Sequence, residues 1–462
     1  MATASTCRPG SAARAVAAAL ALGLCASCSY DFSGALRCTD GERGQGESDV
    51  DCGSDCPARC AIGQSCGSTT DCGGAGIACE AGRCTAPAMG RWELLREGTP
   101  PARLGATLAF VDDRTAILHG GTPVSQSIDE TWRWAGASDD WSELDKQTTP
   151  GPRHFAAMVE TGGGTLLLAG GLQQLEGELP IALPDAWSWG ADDRWAHESA
   201  MPVASAGLAA AYVDDLQVVV VFGGYVPGAD AARVPSGQTL ELAGGAWIEI
   251  HGGGPSPRFH HAMAYDGRHR QVVLFGGTTD LDAKADFSAD TWLYDPAAHT
   301  WREATPAPGS SESAGPSARY AHRMVYDEHR GRIVLFGGRL GGSDEANDVW
   351  EWDGERWREV LPDDPAGSAT PGVPRGRFAP GMAYERGAHR VLVHGGSLTG
   401  YMALDETWGL AFVGQPCTGP ADCGGRPCTT GVCCDDVSCP QGQVCNDPRA
   451  LGTCFDPSAA AP

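Results

Sequence analysis

Five arginines recur at one place in this chain: Arg103, Arg153, Arg258, Arg319 and Arg377, each just ahead of a short alternating apolar run. The equivalent place in one further run holds Ser205. A guanidinium presents a rigid fork of N–H donors that fits a carboxylate or sulfate. In a chain of net charge −25, such a set is a candidate binding site for an acidic peptide or an anionic sugar. The same residue type at a repeated place could instead tie a joining loop to its neighbour. The residues alone leave both readings open.

Cysteine is the second candidate chemistry. Eight cysteines lie at Cys38, Cys52, Cys56, Cys60, Cys66, Cys72, Cys79 and Cys84, and eight at Cys417, Cys423, Cys428, Cys433, Cys434, Cys439, Cys445 and Cys454, with none between. Two even clusters poor in apolar residues are expected to be disulfide-stapled modules, with connectivity open. Zinc is the rival reading, since Cys52, Cys56 and Cys60 are evenly spaced. Neither cluster contains a histidine, and an exported chain meets oxidising conditions, so no metal and no cofactor are expected.

Export is read from "MATASTCRPGSAARAVAAALALGLCASC". Arg8 and Arg14 precede a short apolar run that ends in small residues, the pattern of a secretory signal. Its end resembles a bacterial lipobox, in which case Cys28 carries the lipid and the protein is held on a membrane without crossing it. Cys25 stands where that motif usually has leucine. The acidic balance disfavours a phosphate backbone, so no nucleic-acid partner is expected.

Catalytic signatures are sparse. There is no G-x-S-x-G elbow and no H-E-x-x-H helix. Asp280, Asp282, Asp286 and Asp290 fall in and beside one loop, but their spacing matches no EF-hand, and a solvated acidic loop accounts for them. His119 and His394 occupy matching places and could share a metal or each find an ordinary hydrogen bond.

The elements that would position these residues repeat. Six apolar runs end in a glycine pair: "TAILHGG", "TLLLAGG", "VVVVFGG", "QVVLFGG", "RIVLFGG" and "RVLVHGG", spaced 50 to 61 residues apart. Each run reads as a buried strand, and the glycines permit a sharp turn. Ahead of it lies an alternating strand such as "RFHHAMAYD". After a variable loop comes a strand such as "DTWLYD", then one opened by another tryptophan, as in "WREA". The sixth repeat lacks this last strand, and "RWELL", Arg91–Leu95, precedes the first repeat with no repeat of its own.

Over roughly residues 90 to 414 this order resembles the kelch repeats of β-propellers, of a bacterial secreted or lipoprotein type with flanking Cys-rich modules. The resemblance implies an all-β, six-bladed propeller closed by the N-terminal strand "RWELL" and flanked by two small disulfide-rich modules. It also implies that the five arginines ring one mouth of a central channel. The expected divisions are a signal at 1–28, a Cys-rich module at 29–88, the propeller at 89–414, a second module at 415–456 and a tail at 457–462. Copper radical oxidases share such propellers but need a propeller cysteine, which the middle region lacks.

The function expected is that of an exported or surface-anchored binding protein, more readily than an enzyme, recognising a protein or glycan partner through the loops after the glycine pairs. A carbohydrate-acting enzyme of mutarotase type and a structural or adhesive envelope component are the alternatives.

Overall fold

The computed structural model describes residues 89–413 apart from 146–148, 191, 228–232, 281–286, 306–314, 342–343, 365–371 and 400–401, together with the backbone of four short strands at 78–80, 83–85, 428–429 and 432–433. The chain divides into two compact units, Met1–Thr85 and Ala86–Pro462, and the propeller lies in the second.

Six antiparallel four-stranded sheets follow one another along the chain. In the fourth blade they are Ala262–Asp266 (innermost), Gln271–Phe275, Thr291–Asp295 and Thr300–Glu303 (outermost). Strand two of each blade is β-branched or aliphatic and buried on both faces, because another blade covers each side. Six hydrophobic clusters fill the six spaces between neighbouring sheets, including that between blades six and one, where Ala383 and Leu392 meet Leu118, Trp134 and Trp141. The core is therefore circular.

The glycine pair is a requirement of that packing. Gly120 has φ +71°, and a Cβ there would stand 2.3 Å from the carbonyl oxygen of Arg153 in the next blade. Gly121 follows and donates its N–H to that same oxygen at 2.8 Å.

The innermost strands are stitched by a cycle of single hydrogen bonds in the segments that lead into them. Phe155 N–H donates to Gly105 O, Gly207 to Phe155, His260 to Gly207, Ala321 to His260, Ala379 to Ala321, and Gly105 to Ala379, all at 2.7–2.9 Å. All six residues have positive φ, between 52° and 68°.

Met89–Arg96 is the outermost strand of the sixth sheet and pairs antiparallel with Thr407–Val413, Trp92 opposite Leu410. The expectation of a sheet closure is corrected here: this strand pairs within one sheet only, and all six sheets remain open with two edges each. Blade meets blade by side-chain packing and isolated backbone bonds, because the sheets stand face to face and not edge to edge.

The expected disulfide-linked flanking modules are corrected as well. Among the described residues there is no disulfide. Cys79 faces Cys84, and Cys428 faces Cys433, across two short hairpins described as backbone only. The remaining cysteines, Cys28 included, lie outside the described residues. An even count of thiols implies pairing only where Cβ geometry allows it, and a count carries no geometry.

Candidate functional site

The five arginines do stand at equivalent places, but each points into its own blade. They are between 0% and 2% exposed. Each donates to the carbonyl of the first glycine of its own pair: Gly120, Gly170, Gly276, Gly337 or Gly395, at 2.9–3.2 Å. Each also meets a carboxylate at the start of the third strand: Glu130, Asp185, Asp290, Asp348 or Glu406. The Arg319–Asp348 pair is bidentate, Nη1–Oδ1 2.6 Å and Nη2–Oδ2 2.7 Å.

The same five carboxylates accept an indole N–H from the tryptophan two residues on, Trp132, Trp187, Trp292, Trp350 and Trp408. Blade three shows that the three residues act together. There Ser205 replaces arginine, Gln238 the acid and Leu240 the tryptophan. Ser205 Oγ keeps only the bond to the glycine carbonyl, Gly223 O at 3.0 Å. Burial alone would raise the Glu406 carboxyl, but Arg377 and the Trp408 indole hold it below the usual carboxylate range. These guanidiniums are thus engaged inside the blades.

A second relay runs between blades. The outer-strand tryptophan of one blade donates to the threonine that opens the third strand of the preceding blade: Trp141 to Thr407, Trp195 to Thr131, Trp301 to Thr239 and Trp357 to Thr291, at 2.9–3.1 Å. Where that threonine is Ala186, Trp247 turns to Ser199 O at 2.9 Å. Where it is Val349, the buried Trp92 Nε1–H has no partner among the described residues.

The histidines serve the core. His119 and His394 each lie within hydrogen-bond distance of their own blade's threonine, Thr131 at 3.0 Å and Thr407 at 2.9 Å. Asp290 belongs to the Arg258 pair and not to a calcium loop, while Asp282 and Asp286 lie outside the described residues.

Among the described residues, two surfaces are open to recognition. One is the axial channel, about 640 Å³ in its wider part. Its lining repeats a methionine in four inner strands, Met158, Met263, Met324 and Met382, with Leu108 and Ala210 in the other two. The repeated methionine was visible in the sequence, where half of the chain's eight methionines share one repeat position; its meaning needed the ring. Farther out the channel meets Glu160, Asp214, Glu328 and Arg386, with Arg386 paired to Glu160 and to Glu328.

The other surface is formed by the loops after the glycine pairs. They lie at the same end of the strands as the arginines, since Leu104 bridges Thr122, His154 bridges Leu172, Ala206 bridges Tyr225 and Phe378 bridges Ser397. Several fold into small hairpins, Leu172–Gln173 with Ile181–Ala182 and Tyr225–Pro227 with Arg233–Pro235.

Residues 116–313 match the family model described as Attractin/LZTR1 beta-propeller. It is to this propeller type, and not to kelch, that the chain is similar, which corrects the family expected from the repeats. Glycine pairs and strand-opening tryptophans are demands of blade packing, so they do not by themselves separate one propeller family from another. The match is consistent with a protein-binding role more readily than with an enzymatic one.

Human Multiple epidermal growth factor-like domains protein 8 is 27% identical over 324 residues, 64% of this chain and 10% of that protein. The mouse protein is 25% identical over 377 residues, 75% of this chain and 13% of that one. Mei4-dependent protein 6 of Schizosaccharomyces pombe is 28% identical over 152 residues, 31% of this chain and 20% of that protein. The chain spans 10% to 13% of the length of the first three curated relatives it matches. A solved structure described as "Structure of YjhT" shares the fold, with TM-score 0.53 and 14% identity over 70% of this chain and 97% of that one.

Proposed function

We propose that this is an exported propeller, envelope-held through a lipid on Cys28 or secreted, that binds a protein partner through the hairpin loops after its glycine pairs. One observation carries the reading. Among the described residues, six of the nine exposed large apolar side chains belong to these loops: Val124, Leu179, Ile181, Val226, Val234 and Met402. They come from blades six, one, two and three, a contiguous arc of the ring. Monomeric proteins seldom gather exposed apolar groups on one face without a partner to cover them. Loops on a rigid scaffold can vary freely, so recognition sits there at little cost to the fold.

The test compares proximity-crosslinked partners of the parent with those of Leu179→Asp, Ile181→Asp and Val234→Asp. A partner lost in these variants and kept by Ile248→Asp, which alters an exposed apolar residue on an outer strand, supports the reading. A partner indifferent to the loop substitutions excludes it.

A further inference from the structure

One arginine of the inner strands takes no part in the blade machinery. Arg323 opens the fifth inner strand, where the other blades place Thr107, Ala157, Ala209, Ala262 and Gly381. Those small residues leave a chamber of about 100 Å³ on the axis, and Arg323 lines it. Its Nε donates to Pro380 O at 2.9 Å, which fixes the plane of the guanidinium. No carboxylate among the described residues pairs with it. Burial pushes its pKa down to about 10, with no neighbouring charge pulling it back up. The five blade arginines are each matched to an acid, so this cation differs in kind as well as in place. The surface it keeps accessible is that of the chamber.

The chamber opens through the methionine collar into the wider channel, since the collar residues line both. Met263, Met324 and Met382 are 6–7% exposed and pack mainly in the clusters between blades, so each offers the channel a narrow apolar strip. A polarisable thioether adapts to a slender apolar chain. A guanidinium fork favours a planar carboxylate over a spherical anion. Beyond the collar, Glu160, Asp214 and Glu328 outnumber Arg386, so a second negative charge at the far end of a ligand would be repelled. We propose that the channel binds a monocarboxylate with an unbranched aliphatic chain, its carboxylate on Arg323 and its chain through the collar of Met158, Met263, Met324 and Met382. This inference does not depend on the loop face.

The test is calorimetric titration of the full chain with octanoate, octanol and the dicarboxylate suberate at constant ionic strength. Octanoate is expected to bind at one site, about tenfold more tightly than octanol or suberate, the worth of one charge-assisted bidentate contact. Arg323→Met is expected to weaken octanoate about tenfold while melting no lower than the parent, because it removes an unpaired enclosed charge. Equal binding of octanoate and octanol, binding at many weak sites, no binding, or an unchanged affinity in Arg323→Met overturns the proposal. Should Arg323→Met fail to fold, Arg323→Lys carries the test. It keeps the charge and loses the fork, and octanoate affinity equal to the parent's overturns the proposal.

Discussion

The N–H of Gly105 donates to the carbonyl oxygen of Ala379 at 2.8 Å, completing a cycle of six hydrogen bonds that passes through every blade. Each bond needs a left-handed residue, and only two of the six are glycine, Gly105 and Gly207. Alanine at φ 52° carries a steric cost of about 1–2 kcal/mol, partly offset by the lower entropy of its unfolded chain. Ala379→Gly is therefore expected to stabilise the protein by about 0.5 kcal/mol. Gly105→Ala should do the reverse, since its Cβ would sit 2.8 Å from the Phe155 ring. Denaturant melts of the two variants against the parent check both signs.

The arginine, acid and tryptophan of a blade behave as one unit. Arg319→Ser alone leaves Asp348 buried without its cation, and a loss of about 3 kcal/mol or more is expected. The triple variant Arg319→Ser, Asp348→Gln, Trp350→Leu copies blade three and should cost less than Arg319→Ser alone. Strictly additive losses in a melting series would show that the three residues are independent.

Trp92 lacks the hydroxyl acceptor that four other outer-strand tryptophans have. Val349→Thr supplies one with little change of shape and is expected to add about 1 kcal/mol of stability. The same substitution in Trp92→Phe should give no gain, so a double-mutant cycle measures the contact. Trp92→Ala should cost about 3–5 kcal/mol, because the ring packs in the core between blades five and six, 4.7 Å from the Phe336 ring.

Five histidines are held neutral by burial. Burial, with the nearby Arg153 and Arg258 charges, pushes His119 and His261 down to about 3, and burial alone pushes His154 down to about 4. His322 and His394 are lowered for the same reason. In the unfolded chain each binds a proton near pH 6.5, so the unfolded state gains protons first as pH falls. Their contribution is complete above about pH 6.5 and is lost progressively towards pH 4, at about 1.4 kcal/mol per pH unit for each group. Melting temperature should fall across that window, and His261→Gln should flatten the fall. A flat profile between pH 6.5 and 4 contradicts this account.

The sequence alone specifies the six repeats, their strand types and the glycine pairs. These are local demands: a buried strand must be aliphatic, and a backbone passing 2.3 Å from a Cβ position must be glycine. It left the five arginines between two roles, because their acids lie 27 to 32 residues away and become neighbours only when the strands between them fold back. It passed over Arg323, which in a single repeat reads as ordinary variation beside Ala262 or Gly381. Only the ring of packed blades turned that position into an enclosed chamber whose cation no described carboxylate pairs. Period and strand pattern are properties of neighbouring residues, whereas charge pairing and enclosure belong to residues that only the tertiary structure brings together.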